Sequence, residues 1–249
     1  MGEVRRFPDA EAVARAGARD FVAVAREAIE RRGRFRVALS GGSTPRRLYE
    51  LLAEGPLRGQ VDWERVEFFW GDERAVPPDD PQSNYRMASA ALLSNLGVPP
   101  ERIHRMKGEL GDGDEAARRY QEEIARVFDV PPDGTSPAFD LILLGMGADG
   151  HTASLFPYSE ALPEHRRWVL SHYIARLNAR RLTLTAPVLN RAREIRVLVA
   201  GEDKAATLHE VLEGERDPER LPIQLVAPES GRLVWMVDRA AAAKLGAAS

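Results

Sequence analysis

Short runs of consecutive apolar residues alternate with amphipathic segments along most of the chain. Short apolar runs are typical of strands buried on both faces of a sheet, whereas apolar positions three and four residues apart are typical of helices. The predicted strands are residues 35–39, 66–70, 103–106, 139–144, 168–173, 182–185, 195–200, 223–226 and 233–237. The predicted helices follow Asp9 up to about residue 31, open at Pro45, and span residues 83–96, 114–128 and 203–212.

The alternation of strands and helices favours the α/β class. We expect a mostly parallel, Rossmann-like sheet in three layers, with helices on both faces and room for a small additional lobe. A chain of 249 residues fits a single domain over residues 1–249. In such sheets ligands bind beyond the carboxyl ends of the strands, so the loops there are expected to carry the function.

The loop after the predicted strand 139–144 places an acid and a base on a glycine-rich segment, GMGADGHTASLFP, residues 145–157. His151 is a candidate general base, since a neutral imidazole can accept a proton from water near pH 7. Asp149 would orient that ring or contact a substrate hydroxyl. The alternative is a histidine that is hydrogen-bonded only for structure.

The same loop contains Gly145, Gly147 and Gly150, which match the dinucleotide-binding pattern G-x-G-x-x-G. That pattern requires a helix directly after the glycines and an acid at the end of the next strand. Pro157 comes too early for such a helix, and the predicted strand 168–173 leads to Ala and Arg instead of an acid. The sequence therefore disfavours a nicotinamide-dependent dehydrogenase.

A second glycine-containing loop, SGGSTP, follows the predicted strand 35–39 and precedes a helix. Gly41, Gly42, Ser43 and Thr44 offer backbone N–H groups, hydroxyls and the positive end of a helix dipole, which together favour binding of a phosphate. The alternative is that Ser43 or Thr44 only caps the helix. No Walker lysine follows, so hydrolysis of nucleoside triphosphates is disfavoured.

Charged residues follow two further predicted strands. Asp72, Glu73 and Arg74 come directly after residues 66–70, and Arg74 could bind a phosphate through two hydrogen bonds. The alternative for this triplet is a solvated network of surface ion pairs. Lys204 opens the predicted helix 203–212, where a lysine opposes the helix dipole but could hold an anion.

Composition removes several classes of function. The chain has no cysteine, which excludes disulfides, thiolate nucleophiles and cysteine-based metal sites and fits a cytoplasmic location. With a net charge of -3 and dispersed basic residues, nucleic acid is not an expected partner. No apolar run reaches the length of about 20 residues that a bilayer-spanning helix needs, and no export signal is expected. The remaining histidines lack metal-ligand spacing and are predicted to be structural or surface residues.

Taken in order, these motifs resemble those of the 6-phosphogluconolactonase family, within the wider group of glucosamine-6-phosphate deaminases and ribose-5-phosphate isomerase-like proteins. The resemblance covers nearly the whole chain. Its motifs are SGGSTP at 40–45, WGDERAVP at 70–77 with Ser83 and Asn84, the segment 145–157, RLTLT at 181–185 with Asn190, and GEDKA at 201–205. One departure is Asn178-Ala179, where a proline is expected, and it leaves open whether Arg180 or Arg181 faces the site.

The resemblance implies hydrolysis of 6-phosphoglucono-δ-lactone to 6-phosphogluconate in the oxidative pentose phosphate pathway. No cofactor or metal, and no membrane or obligate protein partner, is expected. His151 would deprotonate water and return the proton to the departing ring oxygen, while Asp149 orients it. The residues expected to bind the substrate and its phosphate are Gly41, Gly42, Ser43, Thr44, Asp72, Arg74 and Lys204, with Arg181 as a weaker candidate.

Two other functions remain as alternatives. Glucosamine-6-phosphate deaminases resemble this chain up to His151 but continue with a Phe-Asn-Glu-Pro segment whose glutamate serves ring opening. This chain has ASLFP at 153–157 and no acid there. A non-enzymatic sugar-phosphate sensor is the other alternative, although no DNA-binding segment is apparent in the sequence.

Overall fold

The computed structural model describes residues 2–246. Met1 and residues 247–249, the ends of the predicted domain 1–249, lie outside the described residues. The strands are β1 (Glu3–Phe7), β2 (Phe35–Leu39), β3 (Val66–Trp70), β4 (Asp72–Arg74), β5 (Leu141–Gly145), β6 (Val169–Ile174), β7 (Ala179–Leu184), β8 (Glu194–Val199) and β9 (Arg232–Asp238). The α-helices are α1 (Ala10–Arg32), α2 (Ser43–Ala53), α3 (Gly55–Arg58), α4 (Asn84–Ala88), α5 (Ser94–Leu96), α6 (Gly113–Phe128), α7 (Ala186–Asn190) and α8 (Ala205–Glu213).

The larger sheet is six-stranded, with the order β1-β9-β8-β5-β2-β3. Every neighbouring pair in it is parallel, so the carboxyl ends of all these strands lie along one edge. The prediction of a mostly parallel α/β sheet is confirmed. The loops that follow β2, β3, β5 and β8 therefore meet at the edge where the candidate residues were expected.

Helices cover both faces of this sheet. All five residues of β3 are buried, and its successive side chains point to opposite faces. Phe68 stacks on Trp63, which in turn contacts Phe21 of α1 at a centroid distance of 6.1 Å. On the other face, Phe69 contacts Tyr120 of α6 at 6.4 Å. The sheet is thus the middle of three layers, as predicted.

A second, three-stranded sheet has the order β4-β7-β6 and is antiparallel. Gly71 joins it to the large sheet, because its N–H donates to the carbonyl of Leu39 (2.8 Å) while its carbonyl accepts from the N–H of Leu184 (2.8 Å). The predicted strands 168–173 and 182–185 are present here, but they pair with each other and lie outside the parallel sheet. Residues 72–74 were expected in a loop and instead form β4.

Several predicted elements are wrong in type or extent. Residues 103–106 form no strand; Ile103 makes only a single bridge to Phe68. Residues 223–226 were predicted as a strand but fall in the 3-10 helix Pro222–Leu225. The predicted helix 83–96 is divided by a π-helical turn, Ser89–Leu93. β1 was missed because it is an exposed edge strand without an apolar run.

No helix within residues 2–246 combines the length and apolar character that crossing a bilayer requires.

At the opposite end of β3 from its carboxyl edge, a buried histidine joins two carboxylates. His104 is 4% exposed, with Nε2 2.9 Å from Glu67 and Nδ1 2.7 Å from Glu123. The side-chain hydrogen bond from Arg126, with a smaller effect of His104, lowers the pKa of Glu123 from 4.5 to about 2, although burial opposes this. This cluster connects β3 to α6 and gives His104 a structural role.

The charged form of Glu123 is expected to stabilise the fold. Its pKa is lower in the folded protein, so its contribution is complete above pH 4.5 and is lost as the pH falls through about 2. We expect Glu123→Gln to make the free energy of unfolding less dependent on pH between about pH 5 and about pH 2. Urea unfolding across this range measures the effect. Glu122→Gln is the matched control, since Glu122 pairs with Arg118 on the exposed face; equal slopes for the two variants would contradict the assignment.

Candidate functional site

A cavity of about 630 Å³ opens at the carboxyl edge of the large sheet. Side chains and backbone from the loops after β2, β3, β5 and β8 line it, together with the β6–β7 hairpin of the small sheet. All the predicted site residues line this one cavity: Gly41, Gly42, Ser43, Thr44, Asp72, Arg74, Asp149, His151, Arg181 and Lys204. Residues far apart in the sequence thus line one cavity.

His151 and Asp149 form a hydrogen-bonded pair. The Nδ1 atom of His151 lies 2.5 Å from Oδ1 of Asp149, which also accepts from the backbone N–H of His151 at 3.2 Å. The loop that carries them is held by a bond from the N–H of Gly147 to the carbonyl of His151 (2.9 Å). Gly150 makes the turn with φ +79°, a conformation that favours glycine. The pair leaves Nε2 of His151 as the nitrogen that can accept a proton.

Gly147 allows the His–Asp pair to lie against the backbone. A Cβ atom at this position would lie 2.0 Å from Nδ1 of His151 and 2.5 Å from Oδ1 of Asp149. No other residue type fits without separating the two side chains. The glycine that suggested a dinucleotide turn in the sequence therefore has a different physical reason to be glycine.

Two residues beside this pair were not predicted. The ring of Phe156 stacks on His151, with centroids 4.4 Å apart and planes at 28°. Arg176 donates a hydrogen bond from Nη2 to Oδ2 of Asp149, and its guanidinium carbon lies 4.8 Å from the centroid of Phe156. Nothing in the sequence near Arg176 signals this contact, because Asp149 lies in another sheet's loop.

The environment keeps Asp149 ionised. Burial alone would raise the pKa of this carboxyl group, but the hydrogen bonds and charge of His151, together with the charge of Arg176, outweigh burial and hold the pKa well below its usual range. Asp149 is therefore a carboxylate at neutral pH, which fixes it as a hydrogen-bond acceptor from Nδ1 of His151.

The N-terminus of α2 forms another wall of the cavity. Gly42 is the N-cap with φ +108°, and no side chain caps the helix, so the predicted alternative of capping by Ser43 or Thr44 is wrong. Gly41 lies so close to Asn84 that a Cβ would be 2.0 Å from its Oδ1 atom. The uncapped N–H groups and the positive helix end give this wall an affinity for anions.

Arg74 and Arg181 add two cations to this part of the site. They lie directly opposite each other on β4 and β7. Burial, reinforced by the charge of Arg74, lowers the pKa of Arg181. Arg74 Nε is buried without a hydrogen-bond partner among residues 2–246. Arg180 is exposed and does not line the cavity, so Arg181 is the arginine that faces it.

Asp72 and Glu73 are buried, at 7% and 2% exposure, so the solvated ion-pair network considered for this triplet is wrong. Asp72 accepts hydrogen bonds from Asn84 Nδ2 (3.2 Å) and Ser154 Oγ (2.7 Å).

Glu73 accepts hydrogen bonds from three backbone N–H groups, those of Arg74, Asn84 and Tyr85, each at 2.8 Å. Burial raises the pKa of Glu73, against the effect of these bonds.

Lys204 completes the lining from the β8 side. Lys204 was predicted at the start of the helix 203–212. It instead ends the 3-10 turn Glu202–Lys204 and immediately precedes α8. Its Nζ atom is 2.8 Å from the exposed carboxylate of Asp203. Between residues 2 and 246, no three His, Asp or Glu side chains are grouped so that they could hold a metal ion.

A sequence model of the family described as "Glucosamine-6-phosphate isomerases/6-phosphogluconolactonase" matches residues 8–235. The chain belongs to this family. It is 44% identical over 220 residues to a 6-phosphogluconolactonase from Synechocystis, covering 88% of each chain. It is 40% identical over 219 residues to one from Nostoc, again covering 88% of each.

A solved structure of the family shares the fold over almost its whole length. The 6-phosphogluconolactonase from Trypanosoma brucei superposes with a TM-score of 0.87, covering 99% of each chain at 26% identity. The resemblance found in the sequence motifs is thus confirmed at the level of the family and of the fold.

Gly147→Ala is expected to separate His151 from Asp149, because the new methyl group would occupy the space of both side chains. NMR of the imidazole nitrogens measures this through loss of the downfield signal of the Nδ1 proton. Gly145→Ala is the matched control on the same loop, since a Cβ there meets no atom within 4 Å. Retention of the signal in Gly147→Ala would contradict the close packing.

Proposed function

We propose that this chain hydrolyses 6-phospho-D-glucono-1,5-lactone to 6-phospho-D-gluconate in the oxidative pentose phosphate pathway. The observation that carries the proposal is one cavity that is lined both by a His–Asp pair and by the cations Arg74, Arg181 and Lys204. The family's motifs and the 6-phosphogluconolactonases among its relatives support it. The absence of an acid in residues 153–157 favours this reaction over deamination of glucosamine 6-phosphate.

His151 acts as the general base. Nε2 accepts a proton from a water molecule as the water oxygen attacks the lactone carbonyl carbon, and Asp149 stabilises the resulting imidazolium. When the tetrahedral intermediate collapses, the bond between that carbon and the ring oxygen breaks, and Nε2 returns the proton to the ring oxygen. A lactone is an activated ester, so these reaction steps need no covalent enzyme intermediate.

The 6-phosphate is held at the N-terminus of α2. The N–H groups of Ser43 and Thr44 and the close-packed Gly41 and Gly42 form the cradle at the N-terminus of α2. Because this contact is remote from the reacting carbon, its binding energy fixes the carbonyl beside His151.

Three cations also contribute to phosphate binding in this proposal. Arg74, Arg181 and Lys204 line the same cavity, and an anion between the two arginines relieves the repulsion between their charges. The Nη1 atom of Arg74 donates a hydrogen bond to the carbonyl of Gln82, which helps to orient the guanidinium group. Asp72 contributes through the side chains that it holds, since its own carboxylate would repel a phosphate.

We further propose that the chain forms a single sugar-phosphate-binding domain, is located in the cytoplasm, and needs neither a cofactor nor an obligate protein partner.

His151→Ala is expected to lower kcat by about 10²-fold or more, the usual contribution of a general base. Acid release from freshly prepared lactone, corrected for spontaneous hydrolysis, measures the rate. His165→Ala is the control, because His165 is exposed and lies outside the cavity. Hydrolysis by His151→Ala at the parent rate would rule out the mechanism, whereas parent protein without activity would rule out the function.

Arg74→Ala is expected to raise KM by roughly tenfold or more, with a smaller change in kcat, since a charge-assisted contact contributes about 1.5–3 kcal/mol. The same variant should leave the kinetics of unphosphorylated gluconolactone unchanged, and that substrate is the control. An unchanged KM for the phosphorylated lactone would argue against Arg74 as a phosphate ligand.

A further inference from the structure

We propose that Arg176 is a positioning residue for the hydrolysis, acting through Asp149 and Phe156 to fix His151. This inference rests on the proposed function, and it concerns a residue that none of the sequence motifs includes. Arg176 lies in the 3-10 turn Ala175–Leu177 between β6 and β7, at the tip of the small sheet's hairpin. From there it reaches a loop of the large sheet.

The contact completes the hydrogen bonding of Asp149. One oxygen, Oδ1, is engaged by the ring and the backbone N–H of His151. The other oxygen, Oδ2, accepts from Arg176. The terminal torsion of an aspartate is broad and roughly two-fold, so a carboxylate held at one oxygen rotates easily. Held at both oxygens, it keeps Oδ1 aligned with Nδ1 of His151.

The same guanidinium group also contacts the ring on which His151 stacks. Its carbon lies 4.8 Å from the centroid of Phe156, within the range of a cation–π interaction. Phe156 in turn lies 4.4 Å from the centroid of the imidazole. Arg176 therefore touches both neighbours that define the orientation of His151, the hydrogen-bonded one and the stacked one.

The hairpin turn that carries Arg176 is stabilised by its own contacts. Asn178 follows the turn with φ +46°, a left-handed conformation that asparagine tolerates better than most residues. Tyr173 donates a hydrogen bond from its hydroxyl to Oδ1 of Asn178 across the hairpin. The departure from the family's expected proline at Asn178-Ala179 thus coincides with a turn that is stabilised in another way.

Arg176 makes these contacts without touching the residues proposed to bind the phosphate. Its partners are Asp149 and Phe156, the two neighbours of His151. Its loss should therefore slow the chemical step and leave binding of the phosphorylated substrate nearly intact. Since small misplacements of a catalytic group are costly, we expect a loss in kcat of roughly tenfold.

The test compares kcat and KM of the full-length protein with those of Arg176→Ala and Arg176→Lys. We expect Arg176→Ala to lower kcat about tenfold with KM changed by less than about twofold. Arg176→Lys keeps a cation and should restore part of kcat. Arg180→Ala is the matched control, since it removes an exposed arginine of the same hairpin that does not line the cavity.

A double-mutant cycle with Asp149→Asn separates positioning from independent effects. If Arg176 acts through Asp149, adding Arg176→Ala to Asp149→Asn should lower kcat further by less than about twofold. A further tenfold loss in that background, a rise in KM with unchanged kcat, or parent kinetics in Arg176→Ala would each overturn the proposal. Thermal unfolding of each variant shows that the fold is retained, and Arg176→Lys serves where Arg176→Ala does not fold.

The controls also distinguish this inference from the proposed function. Lactone hydrolysis by the parent protein and by Arg180→Ala supports the function whatever Arg176→Ala does. If both lack activity, the function itself fails.

Discussion

Two buried carboxylates in β4, Asp72 and Glu73, connect the segments that line the cavity. Asp72 accepts hydrogen bonds from Asn84, at the start of α4, and from Ser154, on the loop after β5. Glu73 accepts three backbone N–H groups and so fixes the start of α4 against β4. A buried carboxylate is costly unless every oxygen is hydrogen-bonded. Moving the bonded segments apart would leave buried carboxyl oxygens without hydrogen-bond partners. The geometry of the cavity therefore depends on these two carboxylates.

The two sheets contribute different parts of the site. The parallel sheet supplies the His–Asp pair after β5 and the N-terminus of α2 after β2, because its strands all end at one edge. The small antiparallel sheet supplies Arg74 and Arg181 from its strands and Arg176 from its hairpin. Gly71 connects the two sheets through backbone hydrogen bonds to Leu39 and Leu184, which places the arginines of the small sheet beside the His–Asp pair.

Much of this arrangement follows from local signals in the sequence. The buried run before Gly145 and the loop residues Asp149 and His151 could be recognised because strand, glycines and chemistry are contiguous. The small sheet could not be recognised from the sequence. Its strand β4 is three residues long, is charged, and pairs with a strand more than a hundred positions later. Arg176 was missed for the same reason: its partner is brought near only by tertiary packing. The burial of Asp72 also depends on hydrogen-bond donors distant in the sequence, which the residues around Asp72 do not indicate.

The cross-strand pair of arginines links ligand occupancy to local opening of the structure. Like charges directly opposite each other weaken an antiparallel pair, and burial of Arg181 increases that cost. An anion bound between them removes the repulsion. A ligand that binds only when β4 and β7 are paired stabilises that pairing by mass action. The pairing of β4 with β7 is thus weakest in the empty protein, which makes amide exchange along these strands a reporter of what the cavity holds.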